Sequence, residues 1–243
     1  MMQSHKTTMN STQAYLDQYY LNQTQFALRC ELSLQDIEEL VDAQLIPAPS
    51  YQISDSRHCK SVVFGELIDS DYVEELKAGI YFHPAAATWT RYAFTTLQRH
   101  PKDEARAIVK RRFVEEFVRA LTIKNSNTYR LEDCFDAAGA AIAAGIAQRV
   151  NTNWQHFLNG IFSLCVAKPD SIANIVHKEI LQEKLSAITD NGKRVDYQNE
   201  DLSALKKLID DYANSTMPFS PLEYPRSSRK RLVEDLRKTL SVL

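Results

Sequence analysis

The stretch that most constrains this chain is Glu132–Val150, EDCFDAAGAAIAAGIAQRV. Nine of the eleven residues from Ala137 to Ala147 are Ala or Gly, the other two being Ile142 and Ile146. Ala is the strongest helix former, and Glu132, Asp133 and Asp136 stand where a helix dipole favours negative charge. Gly139 and Gly145 each cost about 1 kcal/mol relative to Ala inside a helix. A helix with so little side-chain bulk is read as one whose neighbours approach its backbone closely. The expectation is a mainly α-helical protein, with residues 51–243 forming a helical domain built around a central helix at 132–150.

The remaining helices are read from periodicity. Thr12–Tyr20 and the segment carrying Phe26, Ala27 and Cys30 are short. Ser33 can cap a third helix, in which Leu34, Ile37, Leu40, Val41 and Leu45 follow helical spacing, and Ile46-Pro47-Ala48-Pro49 stops it. Lys102–Leu121 buries a stripe of Ala105, Ile108, Val109, Phe113, Phe117 and Leu121. Asn151-Thr152-Asn153 ends or kinks the central helix, and Trp154–Val166, Ile172–Ile188 and Asp201–Ala213 follow as further helices. Extended structure is limited to at most a short β-hairpin near 51–64, pairing Tyr51–Ile53 with Lys60–Phe64. Asp69–Lys77 reads as a short acidic helix.

Residues 1–50 resemble the helix-turn-helix start of MerR-type DNA-binding domains and are assigned as a separate helix-turn-helix-like module. Charge argues against nucleic acid. The would-be recognition helix carries Asp36, Glu38, Glu39 and Asp42 and no Lys or Arg, and residues 1–50 hold six acidic against two basic residues. Counterion release by Lys and Arg supplies most phosphate affinity, so this helix has the wrong sign. A packing or dimerisation role, with a homodimer as the expected partner, is favoured instead.

Composition excludes several other classes. Six Gly in 243 residues fall below the roughly 7% average, and neither GxGxxG nor GxxxxGK[ST] occurs. Cys30, Cys59, Cys134 and Cys165 show no CxxC or zinc-finger spacing and are expected as reduced, buried thiols, with no metal and no cofactor. A net charge of −2 gives no global attraction to nucleic acid or acidic membrane. The first thirteen residues contain no apolar stretch and no run of apolar residues is long enough to span a bilayer, so a cytoplasmic protein is expected.

Two places invite chemistry. In Tyr81-Phe82-His83-Pro84 the proline holds His83 extended at a helix entrance, as a hydrogen-bonding group of a site or as a capping histidine. Near the C-terminus, Ser227 or Ser228 caps a helix whose first turn is basic, with Arg226, Arg229, Lys230 and Arg231. Cations here oppose the helix dipole, which makes sense if serine hydroxyls and an arginine converge on a carboxylate or phosphate, or if these side chains pair with acidic helices elsewhere.

Three blocks, FGE with YFHP (Phe64–Glu66, Tyr81–Pro84), Trp154–Glu179 and MPFSPLEYPRSSRKRLV (Met217–Val233), resemble a bacterial family of uncharacterised "natural product biosynthesis" proteins. More distantly they resemble the β-carboline-forming, marinacarboline-type Pictet–Spengler cyclases, which condense tryptophan with an aldehyde without metal or organic cofactor. That resemblance implies His83 as a polar group of the pocket, Tyr81, Trp154 and Phe219 as aromatic substrate contacts, and Arg229 with Ser228 holding an amino-acid carboxylate. The next acids after His83 are Asp103 and Glu104, a helix away, so Glu66 is the candidate base. The leading expectation is a cofactor-independent enzyme or binder of a small amine or amino-acid-like metabolite. A non-catalytic, dimerising interaction protein comes second and a DNA-binding regulator third.

Overall fold

The computed structural model describes residues 11–54, 58–67, 76–127, 131–197 and 201–241. The expected acidic helix at 69–77 lies almost wholly outside them. Three short helices open the described chain: α1 (Thr12–Tyr19), α2 (Gln23–Cys30) and α3 (Leu34–Asp42). Each has a side-chain cap. Ser11 accepts from the Ala14 N–H, while Asn22 with Gln25 and Ser33 with Asp36 form reciprocal capping boxes.

The mainly helical expectation holds, but a hairpin near 51–64 understates the β structure. Five strands form one antiparallel sheet: β1 (Leu21–Asn22), β2 (Tyr51–Ile53), β3 (Cys59–Ser61), β4 (Gly65–Leu67) and β5 (Gly79–Phe82), in the order β1-β5-β2-β3-β4. The expected hairpin is the β2–β3 pair, Tyr51 opposite Ser61 and Ile53 opposite Cys59. Tyr81 pairs with Tyr51 on one side and with Asn22 on the other. The additional strands are two to four residues long, too short for an alternating pattern to emerge from sequence.

After a 3₁₀ turn at Pro84–Ala86 come α4 (Ala87–Leu97), α5 (Lys102–Asn127), α6 (Ala143–Leu158), α7 (Ile161–Cys165), α8 (Ile172–Ile188) and α9 (Leu202–Ser215). A π-helical turn, Lys230–Asp235, runs into α10 (Leu236–Leu240). α5 packs against α8, α4 and α6, and α8 against α9. The central core contains Phe113, Trp154, Phe157 and Trp89 together with Tyr15, Tyr20, Leu40, Tyr51 and Tyr81. A second cluster joins Leu181 and Leu185 of α8 to α9 and the C-terminal helix.

The Ala/Gly stretch is not one helix. Residues 131–142 form turns, with a bridge between Phe135 and Ala141, and α6 begins only at Ala143. The Asp136 carboxylate accepts the N–H groups of Ala138 and Ala140, and Gly139 takes φ +83°. An aspartate that satisfies local backbone donors competes with the helix, and Ala and Gly bring no bulk whose burial would overrule it. Gly145 does meet a close backbone: a Cβ there would lie 1.7 Å from the Asp133 carbonyl oxygen. Nor does α6 end at Asn151–Asn153. Asn153 donates to the Arg149 carbonyl, and the helix continues so that Trp154 lies on it.

Candidate functional site

The residues singled out in sequence do not gather. Glu66 is exposed on β4, opposite Lys60. His83 is buried, and its Nδ1 accepts the Ala85 N–H at 3.1 Å, so it caps the 3₁₀ turn. Burial pushes its pKa down to about 4, against the pull of the Asp170 carboxylate, and the ring stays neutral. Trp154 lies in the aromatic core, with ring centroids 5.2 Å from Phe113 and 5.6 Å from Phe157. Phe219 packs edge-on to Phe64. Among the described residues, no hydrogen bond or ion pair joins Glu66, His83 and Arg229.

The basic C-terminal turn is occupied within the fold. Arg229 Nη1 donates to the carbonyls of Ala213 and Thr216 and to the Thr216 hydroxyl, placing a cation on the C-terminal end of α9, where the helix dipole favours it. Ser228 accepts from the Tyr212 hydroxyl. Arg226 lies over the Phe64 ring, Lys230 pairs with Asp235, and Arg231 donates to Asn191. These contacts hold the run within the fold, and the acidic partner among them, Asp235, is on the same helical segment as Lys230.

Between that segment and the sheet lies a buried polar centre that spacing did not reveal. Glu223 is fully buried; its Oε2 accepts from the Tyr51 hydroxyl at 2.5 Å and from Ser220 at 2.8 Å. Among the described residues Oε1 has no hydrogen-bond partner, although Ser61 is near enough to act on the carboxyl. Burial raises the Glu223 pKa, against those hydroxyl donors. Tyr15 and Tyr20 complete the group, their hydroxyls 3.5 Å apart, and Tyr20 donates to the Ser163 carbonyl. Burial holds all three tyrosines above the ordinary phenol value. The His83 ring stands at 88° to Tyr20, with centroids 5.7 Å apart. Eleven tyrosines in the chain were the available hint, but Glu223, sitting among prolines in PLEYP, carried none.

Tyr20 and Tyr81 also line a surface cleft of about 580 Å³ between the end of α1, β1, the start of α2 and the start of β5. This lies within the roughly 300–1,000 Å³ of small-molecule sites. Asp17, Asn22, Gln23, Thr24, Gln25 and Lys77 bring polar side chains to it, and Asp17 is the only carboxylate among the lining residues. Asp17 and Lys77 form an ion pair of 3.0 Å, exposed at 52% and 68%. Of the residues singled out in sequence, Tyr81 is the one on this wall.

The fold is thus mainly helical with an antiparallel sheet in its N-terminal part, and among the described residues no helix is long and apolar enough to cross a membrane. The chain belongs to a family of unknown function (DUF6058), whose model matches residues 109–241. That segment runs from α5 to α10 and includes Glu223, while the cleft lies N-terminal to it. Neither a curated protein nor a solved structure matches the chain.

Proposed function

We propose that the protein binds a small amine or amino-acid-like metabolite in the cleft walled by Tyr20 and Tyr81. The observation that carries this reading is the Asp17–Lys77 pair at 3.0 Å on a cleft of metabolite size. An exposed ion pair is worth at most about 1 kcal/mol, so a zwitterion can open it at little cost. Its ammonium then replaces Lys77 at Asp17, and its carboxylate replaces Asp17 at Lys77. The Asn22 and Gln25 side-chain oxygens are held in the capping box, so these residues offer the ligand their amide N–H groups as neutral donors.

A finer reading adds chemistry, a Pictet–Spengler-type condensation of a bound aromatic amine with an aldehyde, within natural-product biosynthesis. It needs a general base within hydrogen-bond reach of the proton removed, and Asp17 is the carboxylate lining the cleft.

Titration calorimetry with tryptophan, tryptamine and indole propionate tests the binding. Tryptophan should bind, tryptamine should lose mainly the Lys77 contribution, and the acid mainly that of Asp17. Asp17→Asn should weaken the two amines, and Lys77→Met the two carboxylates. Uniform weak binding that neither variant changes would remove the reading.

A second reading, association with another copy of the chain, rests on residues 136–144. This stretch is exposed throughout although seven of its nine residues are Ala or Ile, the kind of surface that marks interfaces. Sedimentation of the wild type beside Ala141→Arg decides it: a dimer that the arginine dissociates supports it, and a monomer at all concentrations ends it.

A further inference from the structure

Cys165 at the end of α7 and Lys178 on α8 form a buried pair for which the binding reading has no use. Their Sγ and Nζ atoms are 3.5 Å apart, and the residues are 8% and 3% exposed. The Lys178 ammonium also donates to Glu179 Oε1 at 2.8 Å and Gln182 Oε1 at 2.6 Å. A thiol, an ammonium and a carboxylate able to take the ammonium's proton therefore meet around Lys178 Nζ. The chain neighbours of the pair, Val166 and His177, line a surface cleft of about 230 Å³, which brings solvent within one residue of it.

We propose that Cys165 and Lys178 are a redox-sensitive pair that peroxide joins through a nitrogen–oxygen–sulfur bridge, linking α7 to α8 covalently. The thiol attacks a first peroxide molecule; the S–O bond forms, the O–O bond breaks, and the leaving hydroxide takes the thiol proton as water, giving a sulfenic acid. Oxidation removes the Cys165 sulfur as a partner that holds the ammonium, leaving burial to favour the neutral amine; Lys178 then passes its proton to Glu179, and the free amine attacks a second peroxide, leaving a hydroxylamine and water. The hydroxylamine oxygen then displaces the sulfenic hydroxyl as a further water. Sulfur and nitrogen are each oxidised by two electrons, both peroxides are reduced, and the protein gains one oxygen and loses two hydrogens. A thiol reductant opens the linkage by attacking sulfur: the S–O bond breaks, a second thiol resolves the mixed disulfide, and Lys178 leaves as the hydroxylamine.

The other three cysteines provide an internal control. Cys30, Cys59 and Cys134 are also buried, and among their described neighbours the charged or hydrogen-bonding partners are Thr90, Arg, Asp and Glu residues, with no lysine.

The test is peroxide treatment of the folded wild-type protein, followed by denaturation, thiol labelling, intact mass and peptide mapping. The expected result is loss of one labelled thiol, a mass change of one oxygen minus two hydrogens, and a peptide pair joined between Cys165 and Lys178 that separates under thiol reductant. Cys165→Ser and Lys178→Met should each abolish the joined peptide; mapping the wild type decides the matter even if a variant folds poorly. A Cys165 that stays fully labelled would overturn the proposal. So would its conversion to sulfinic or sulfonic acid with Lys178 unmodified.

Discussion

Glu223 and Lys178 are ionisable side chains buried to a similar degree, and the fold accommodates them in opposite ways. Lys178 has three donors and three acceptors, the Cys165 sulfur and the oxygens of Glu179 and Gln182. Burial disfavours its charge, but the Cys165 and Glu179 partners outweigh burial and hold it as an ammonium. Glu223 has two hydroxyl donors on one oxygen and, among the described residues, no hydrogen bond on the other, and burial prevails, lifting its pKa. Depth alone does not set the charge of a buried group; the number and type of its partners do.

That contrast can be broken by removing each group. Lys178→Met should cost roughly 3 kcal/mol, the low end for a broken buried pair because Glu179 retains contact with water; equilibrium denaturation measures it. Glu223→Ala should cost about 2–3 kcal/mol, by leaving a cavity and stranding the Tyr51 and Ser220 hydroxyls. Glu223→Gln, a neutral group of the same shape, should stay within about 1 kcal/mol of wild type at neutral pH. If Gln were as damaging as Ala, the buried carboxyl would be charged and the contrast lost. Tyr51→Phe, which removes one donor and leaves Glu223 a single hydrogen bond, should cost about 1 kcal/mol.

The pH dependence sharpens the same point. Glu223 titrates above 4.5 in the folded chain, so its stabilising contribution is fully present below 4.5 and fades as pH rises through the folded pKa. His83 has the opposite sign. It is neutral when folded, so its contribution is complete above 6.5 and is lost as pH falls towards about 4. In melting curves recorded against pH, Glu223→Gln should flatten the first trend and His83→Gln the second.

Local structure was legible where residues act on their own neighbours. Ser33 capped the third helix, and Ala105, Val109, Phe113, Phe117 and Leu121 of α5 went inside. Tyr51–Ile53 found its partner strand. His83 was legible as a histidine at a helix entrance, and its cap to the Ala85 N–H is local, but its packing against the Tyr20 ring comes from far away in sequence. The strands β1, β4 and β5 were not legible, because two to four residues carry no period and β1 and β5 pair across long stretches of chain.

By itself, then, the sequence determined a mainly helical chain, its principal caps, the inward stripe of α5 and an acidic outer face on α3. Ala137–Ile142 is an exposed turn for a reason that is also local, since Asp136 captures its backbone and nothing bulky holds it inside. Tertiary structure alone decided that Arg229 meets the carbonyls at the end of α9, and that Glu223 lies among tyrosines 172 to 208 residues away along the chain. Propensity and capping act over a few residues, whereas burial and the partners of a buried charge are set only when distant segments meet.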